Sequence, residues 1–226
     1  MNAETLEKLL AARRTRQAVA LVTELSTGEQ RLVARDLMSD DPLLASLTEA
    51  FRFDRSAVVR AEEGEFFVHV QNPALRLVVV GAVHVAQTLV PMAQMLGYQA
   101  TVIDPRGAFA TPERFPGVDL RAEWPDEALS AADLDSRTAV AVLTHDPKID
   151  DPALKAALAS EVFYIGALGS GRTHATRLAR LEEAGFTGEQ TARIRGPIGL
   201  DIGARGASEI AVSILAEMTR ALRLGA

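Results

Sequence analysis

Apolar positions along the chain follow two rhythms, and the change falls near residue 72. In the first stretch Leu6, Leu9 and Leu10 share one side of a predicted helix from Glu4 to Arg14. Gln17 to Leu25 and Gln30 to Arg35 read as strands joined by the turn residues Ser26-Thr27-Gly28-Glu29. Pro42 to Phe53 predicts a second helix, with Pro42 in its first turn behind Asp40 and Asp41. Ala57 to Arg60 and Glu65 to Val70 predict a second hairpin around Glu62-Glu63-Gly64. Asn72-Pro73 is a turn signal and the predicted boundary between a small α+β domain, residues 1–72, and a second domain, residues 73–226.

Beyond that boundary Leu77 to Val80 is a continuous apolar run, expected of a strand covered on both faces. A helical pattern follows to about Leu96 and stops at Gly97, with Pro91 removing one backbone hydrogen bond inside it. Gln99 to Ile103, Thr138 to Leu143 and Val162 to Ile165 predict three more buried strands. Helices from Ser170 to Ala184 and from Ser208 to Leu222, the latter with Ser208 as N-cap, close the chain. Strands alternating with helices predict an α/β fold: a Rossmann-like, doubly wound parallel sheet behind the small amino-terminal α+β domain.

Composition narrows the functional classes. The 226 residues carry 24 Lys+Arg against 30 Asp+Glu, a formal net charge of -6. A nucleic-acid binder needs the opposite balance to displace phosphate counterions. There is no Cys, which excludes thiolate catalysis, disulfides and Cys-ligated metals on this chain. No apolar window is long enough for a membrane span, and the charged opening MNAETLEKLLAARR lacks a secretory apolar core. The expectation is a cytoplasmic protein. No clustered pattern of two His and one carboxylate suggests a protein-ligated metal.

The turn after Val80 reads Gly81-Ala82-Val83-His84-Val85-Ala86. A dinucleotide fingerprint wants Gly-x-Gly-x-x-Gly/Ala here, with an acid at the end of the next strand. Gly81, Ala86 and Asp104 meet that pattern, but Val83 stands where the middle glycine lets a pyrophosphate approach the backbone. The turn is either a nucleotide-like site or an inherited turn that only packs. In a working site Asp104 would accept from a ribose-type diol and Arg106 would meet a phosphate; otherwise Asp104-Pro105 opens a solvated turn.

Other polar residues collect at predicted strand ends. Thr144, His145 and Asp146 end the third parallel strand, on the side where open α/β sheets bind ligands. Gly166, Gly169, Ser170 and Gly171 precede a helix with Arg172 and His174 in its first turn. Unpaired amides at a helix start attract anions, and a cation there suits an anionic partner. A plain turn is the alternative. His84 is either a donor at the crevice or a boundary residue, and Asp201 either shapes a loop or faces the crevice.

Four segments, in this order and spacing, carry a family resemblance: Val142-Leu143-Thr144-His145-Asp146-Pro147-Lys148, Tyr164-Ile165-Gly166-Ala167-Leu168-Gly169-Ser170, Arg195 to Gly203 (RGPIGLDIG) and Glu209 to Ile214 (EIAVSI). From about residue 75 onward the chain resembles the XdhC/CoxI family, accessory proteins for molybdenum-hydroxylase maturation. The resemblance implies a carboxy-terminal Rossmann-like domain that transiently binds the molybdenum cofactor, as molybdopterin or its dinucleotide form. It implies a chaperone without turnover chemistry, which holds the cofactor while a cysteine desulfurase supplies its sulfido ligand. Delivery to a xanthine dehydrogenase or carbon monoxide dehydrogenase type of enzyme would follow, and a homodimer is the expected state. The cofactor-binding set is then Gly81, Ala82, Val83, His84, Asp104, Arg106, Thr144, His145, Asp146, Gly166, Gly169, Ser170 and Arg172, with no catalytic or metal-ligating residue.

The chain departs from the family at two places. Members have Gly-Ala-Gly-His-Val-Ala where this chain has Val83 in the middle. Residues 1–72 also lack the family's Ser/Thr-Pro-Arg and Gly-Gly-Gly-x-Leu-Glu-like segments, so any contribution of that domain to cofactor binding is reduced or lost, and assembly is its alternative role. Two other readings compete: an NAD(P)-dependent oxidoreductase, against which Val83 argues, and a maturation scaffold that binds no cofactor.

Overall fold

The computed structural model describes residues 2–131 and 134–225, which divide into two compact units, Met1–Pro73 and Ala74–Ala226. The first unit contains α1 (Ala3–Arg14), β1 (Val19–Glu24), β2 (Gln30–Ala34), α2 (Leu44–Phe53), β3 (Ala57–Ala61) and β4 (Gly64–Gln71). Its strands form an antiparallel sheet in the order β2-β1-β4-β3. Alternation of side chains sends Ala20, Val22, Val33 and Val68 toward Leu47, Ala50 and Phe51 of α2. Val19, with Leu32 and Ala34, packs instead with Leu9 and Ala12 of α1. Helix α2 starts two residues later than Pro42 suggested. The Asp41 side chain accepts from the Leu43 amide at 2.9 Å, and its carbonyl from Leu44 at 2.9 Å, which holds Pro42 and Leu43 in a turn.

The second unit runs β5 (Arg76–Val80), α3 (His84–Met95), β6 (Gln99–Ile103), β7 (Asp119–Arg121), α4 (Pro125–Ala131), β8 (Thr138–Val142), α5 (Pro147–Leu158), β9 (Tyr164–Ala167), α6 (Gly171–Glu183), α7 (Gly188–Thr191), β10 (Ile194–Arg195) and α8 (Ala207–Leu224). All its strands are parallel, in the order β10-β9-β8-β5-β6-β7. This is the doubly wound Rossmann order. Leu77, Val79, Ala139 and Ala141 face α3 and α8, while Val78, Val80, Val140 and Val142 face α4 and α5. Burial on both faces explains why β5 and β8 read as unbroken apolar runs.

Two local expectations in this unit need correction. Strand β9 is shifted two residues toward the C-terminus of the predicted Val162–Ile165, because its ladder with β8 pairs Ala139 with Tyr164 and Val142 with Ala167. Helix α8 is capped at Gly206, not Ser208: the Glu209 carboxylate reaches back to the amides of Gly206 at 2.9 Å and Arg205 at 2.8 Å. The short elements β7, β10, α4 and α7 have no periodicity long enough to read from sequence. Helix α3 continues through Pro91 to Met95.

Candidate functional site

The strand order sets where a ligand can enter. The chain leaves β5 toward β6 on one side and later reaches β8 on the other, so the connections diverge between β5 and β8. In open parallel sheets that divergence leaves a crevice beyond the carboxyl ends of the strands. The turns after β5, β6, β8 and β9 all lie at this edge, and these turns with the first helical residues that follow them carry all the predicted site residues except Gly166.

After β5, Gly81 adopts φ +110°, and a Cβ there would stand 2.6 Å from the Thr144 methyl and 3.3 Å from the Thr144 nitrogen. The glycine is required because the turn after β8 packs directly upon it. Val83 is the residue before α3, half-buried against the core, and makes no side-chain cap. His84 is exposed at the first position of the helix.

Asp104 is fully buried and already has four donors. Its Oδ2 accepts from the Ala82 amide at 2.8 Å and from Arg106 Nη2 at 2.8 Å. Its Oδ1 accepts from the Arg106 amide at 3.0 Å and Arg106 Nε at 2.9 Å. Burial alone would raise the Asp104 pKa, but the Arg106 guanidinium and the two amides outweigh it and hold the carboxyl below its ordinary value. The arrangement differs from the expected one, in which Asp104 meets a ribose and Arg106 a phosphate: here the two residues pair with each other. Arg106 also stacks over Phe109, 4.6 Å from the ring centroid.

After β8, Thr144 donates to Asp150 Oδ1 and accepts from the Asp146 amide at 3.0 Å. Asp146 caps α5 by accepting from the Lys148 amide at 3.0 Å. His145 between them is exposed, with φ +71°. A left-handed backbone at a non-glycine residue carries strain that the surrounding turn must hold. Thr144 and Asp146 therefore shape the turn, and His145 is the side chain it presents.

After β9, Gly169 has φ +147° and Ser170 caps α6, accepting from the Thr173 amide at 3.2 Å. The first turn of α6 contains no acidic residue, and Arg172 within it is exposed. Gly166 lies inside β9 rather than in this turn. A Cβ there would come within 2.5 Å of Ile198 and 2.7 Å of the Tyr164 hydroxyl, so it is a packing glycine.

Two residues that sequence reasoning passed over lie beneath these turns. Arg177 of α6 and Asp150 of α5 form a buried ion pair at 3.4 Å, with side chains 2% and 3% exposed. Desolvation raises the Asp150 pKa, against the lowering effects of Thr144 and Arg177. His174 is pressed against Gly196, and burial, then the Arg177 charge, lowers its pKa. Both missed residues stand on apolar stripes, Arg177 four before Leu181 and Asp150 among Ile149, Ala153 and Leu154. A charge at a core position was the available signal. Glu217 of α8 is also buried, accepting from the Tyr164 hydroxyl at 2.7 Å and the Gly199 amide at 2.8 Å. It pins the glycine-rich segment after β10, on which Asp201 is exposed.

A family model described as the XdhC Rossmann domain matches residues 77–218. The chain belongs to the XdhC family. Among XdhC relatives, it is 37% identical over 147 residues to the molybdenum cofactor insertion chaperone PaoD of Escherichia coli, a match covering 65% of this chain and 40% of that protein. It is 33% identical over 154 residues to a probable xanthine dehydrogenase subunit of Bacillus subtilis, covering 67% of this chain and 44% of the relative. The chain thus spans less than half the length of either. A crystal structure named as a xanthine dehydrogenase from Bacillus halodurans aligns with a TM-score of 0.71 at 26% identity, over 98% of this chain and 67% of that one. Among the described residues no helix is long and apolar enough to cross a membrane.

Proposed function

We propose that this XdhC-family chain holds the molybdenum cofactor, as molybdopterin or its dinucleotide form, at the carboxyl edge of its parallel sheet. From there it hands the cofactor to a molybdenum hydroxylase of the xanthine dehydrogenase or carbon monoxide dehydrogenase type. The observation that carries this reading is the opening of α6. Gly169 at φ +147° turns the chain into the helix with Thr173 packed close beside it, Gly171 leaves the first helical position without a side chain, and no acidic residue stands in the first helical turn. Such an opening fits the anionic phosphate that either form of the cofactor carries. The name of the PaoD relative supports the same function.

The bound cofactor supplies the molybdenum chemistry of the client enzyme. The chain's own residues bind and orient. Ser170 fixes the start of α6, Arg172 adds positive charge at the mouth, and the exposed imidazoles of His84 and His145 flank the crevice as hydrogen-bonding groups. With no Cys on the chain, sulfur for the cofactor would come from a cysteine desulfurase partner. A cytoplasmic homodimer completes the reading, and a light-scattering mass near 24.2 kDa at micromolar concentration would count against the dimer.

One observation favours the scaffold alternative. Asp104 occupies the Ala82 amide, so that part of the Rossmann crevice is satisfied from within. The same contact, with Val83, weighs against an NAD(P) oxidoreductase. Protein purified from a cofactor-producing host separates the readings through molybdenum analysis and the fluorescence of oxidised pterin. Stoichiometric molybdenum and pterin are expected. A native protein carrying neither refutes the carrier reading and leaves the scaffold.

A further inference from the structure

The opening of α6 has a second feature, below the backbone. Arg177 lies two turns into the helix, and its side chain runs back toward the helix start, as long side chains on helices do. Its Nη2 donates to the Leu168 carbonyl at 2.8 Å, and a Cβ on Gly169 would stand 3.7 Å from that nitrogen. The guanidinium therefore lies directly against the turn that leads into the helix. Its side chain is 2% exposed, yet Nε and Nη1 have no partner among the described residues. Together they carry three of the five N–H donors of the group. An Arg this deep is normally paired throughout, because unmet charged donors are costly.

Asp150 neutralises it incompletely. The pair meets through a single Nη2–Oδ2 approach at 3.4 Å, longer than a strong charge-assisted bond, and the other carboxylate oxygen is engaged by Thr144. Burial also disfavours the charged form of the Asp150 carboxyl. At the start of the helix, the amides of Gly171 and Arg172 have no acceptor among the described residues, while the Thr173 amide is taken by Ser170. Other turns at this edge are served by carboxylates: Asp146 at α5, Glu209 at α8 and Asp104 at the turn after β5. At the start of α6 the cap is the neutral Ser170, and no carboxylate among the described residues meets the backbone amides.

We propose that the Ser170–Gly171–Arg172 backbone is a phosphate-monoester subsite, with Arg177 as the positioning residue that charges it from behind. Arg177 holds the Leu168 carbonyl of the turn that leads into the helix, and it adds positive charge behind that turn which Asp150 offsets only in part. A phosphoryl dianion accepts from the open amides, with Arg172 at the exposed rim. This rests on the carrier reading and deepens it by assigning Arg177, buried behind the turn, to the phosphate contact at α6.

Inorganic phosphate is the probe, titrated at constant ionic strength against chloride while backbone amides are followed by heteronuclear NMR. Saturable shifts centred on Ser170, Gly171 and Arg172 are expected with phosphate and not with chloride. Arg177→Met should weaken phosphate binding by about ten- to hundredfold, the range for a charge-assisted contact, and Arg177→Lys should recover part of it. Should Arg177→Met not fold, Arg177→Lys and the exposed Arg172→Ala decide, both expected to weaken binding with the spectrum otherwise intact. No saturable shift in the native protein, equal shifts with chloride, or unchanged affinity in folded variants would overturn the subsite. A parallel titration with cytidine monophosphate and with molybdopterin separates a nucleotide's phosphate from that of the pterin. Phosphate binding in a protein that never carries molybdenum or pterin keeps the subsite and refutes the carrier reading. A protein that loads molybdenum and pterin, but whose cofactor-free form shows no phosphate shift at the α6 amides, does the reverse.

Discussion

Gly81→Ala tests whether the crevice between β5 and β8 is set by direct packing of one turn on the other. Two effects act together at this position. The backbone at φ +110° is one that residues with a side chain rarely adopt, which costs about 1–3 kcal/mol. The new methyl would also meet the Thr144 methyl at 2.6 Å and backbone atoms of Leu143 and Thr144 at 3.3–3.4 Å. Overpacking of that kind adds about 1–3 kcal/mol, so the expected loss is about 2–5 kcal/mol once partial relaxation is allowed. Urea unfolding followed by circular dichroism measures it. Thr144→Ser removes the clashing methyl but keeps the hydroxyl that serves Asp150 and the Asp146 amide. In the Gly81→Ala background it should therefore recover about 1 kcal/mol, visible as a coupling energy in the double-mutant cycle. The backbone strain and the contact with the Thr144 nitrogen would remain. A loss below about 1 kcal/mol for Gly81→Ala, or strict additivity of the two changes, would refute the packing argument.

Other consequences follow from the buried polar groups. Asp104 has a folded-state pKa below its ordinary value of 3.8, so its contribution to stability is present above pH 3.8 and is lost as pH falls through the lower folded value. Asp104→Asn should flatten that acid limb of stability against pH, and an unchanged limb would contradict the four-donor arrangement. Tyr164→Phe leaves the buried Glu217 without one donor and should cost about 1–3 kcal/mol in urea unfolding; a neutral effect would show the bond to be dispensable. Calorimetry should find weak NAD binding to the native protein, and Val83→Gly alone should improve it by less than about tenfold because Asp104 still holds the Ala82 amide. Tight NAD binding by either form would revive the oxidoreductase reading.

Sequence by itself determined the fold class, because that depends on periodicity. The apolar runs at Leu77–Val80 and Thr138–Leu143 are too short for buried helices and read as strands covered on both faces, and the intervening helical patterns imply parallel connections. The short elements escaped because β10 has two residues and β7 three, too few for any period to register. The glycine-rich turn before α6 was legible, since Gly169, Ser170 and Gly171 are a local signal. What tertiary structure decided was how polar residues far apart in the chain are used. Asp104 is placed well for a ribose by its strand, yet the fold brings the Ala82 amide and Arg106 onto both its oxygens. Gly166 looks like a turn residue until the β8–β9 register puts it inside the strand, against Ile198. Arg177 and Asp150 lie 27 positions apart on different helices. Each reads as a stray charge on an apolar stripe, and only the packing of α5 and α6 at the sheet edge buries them together beneath the Gly169 turn. Periodicity records which face of an element is buried, whereas the partner of a buried charge depends on which elements the chain has brought side by side.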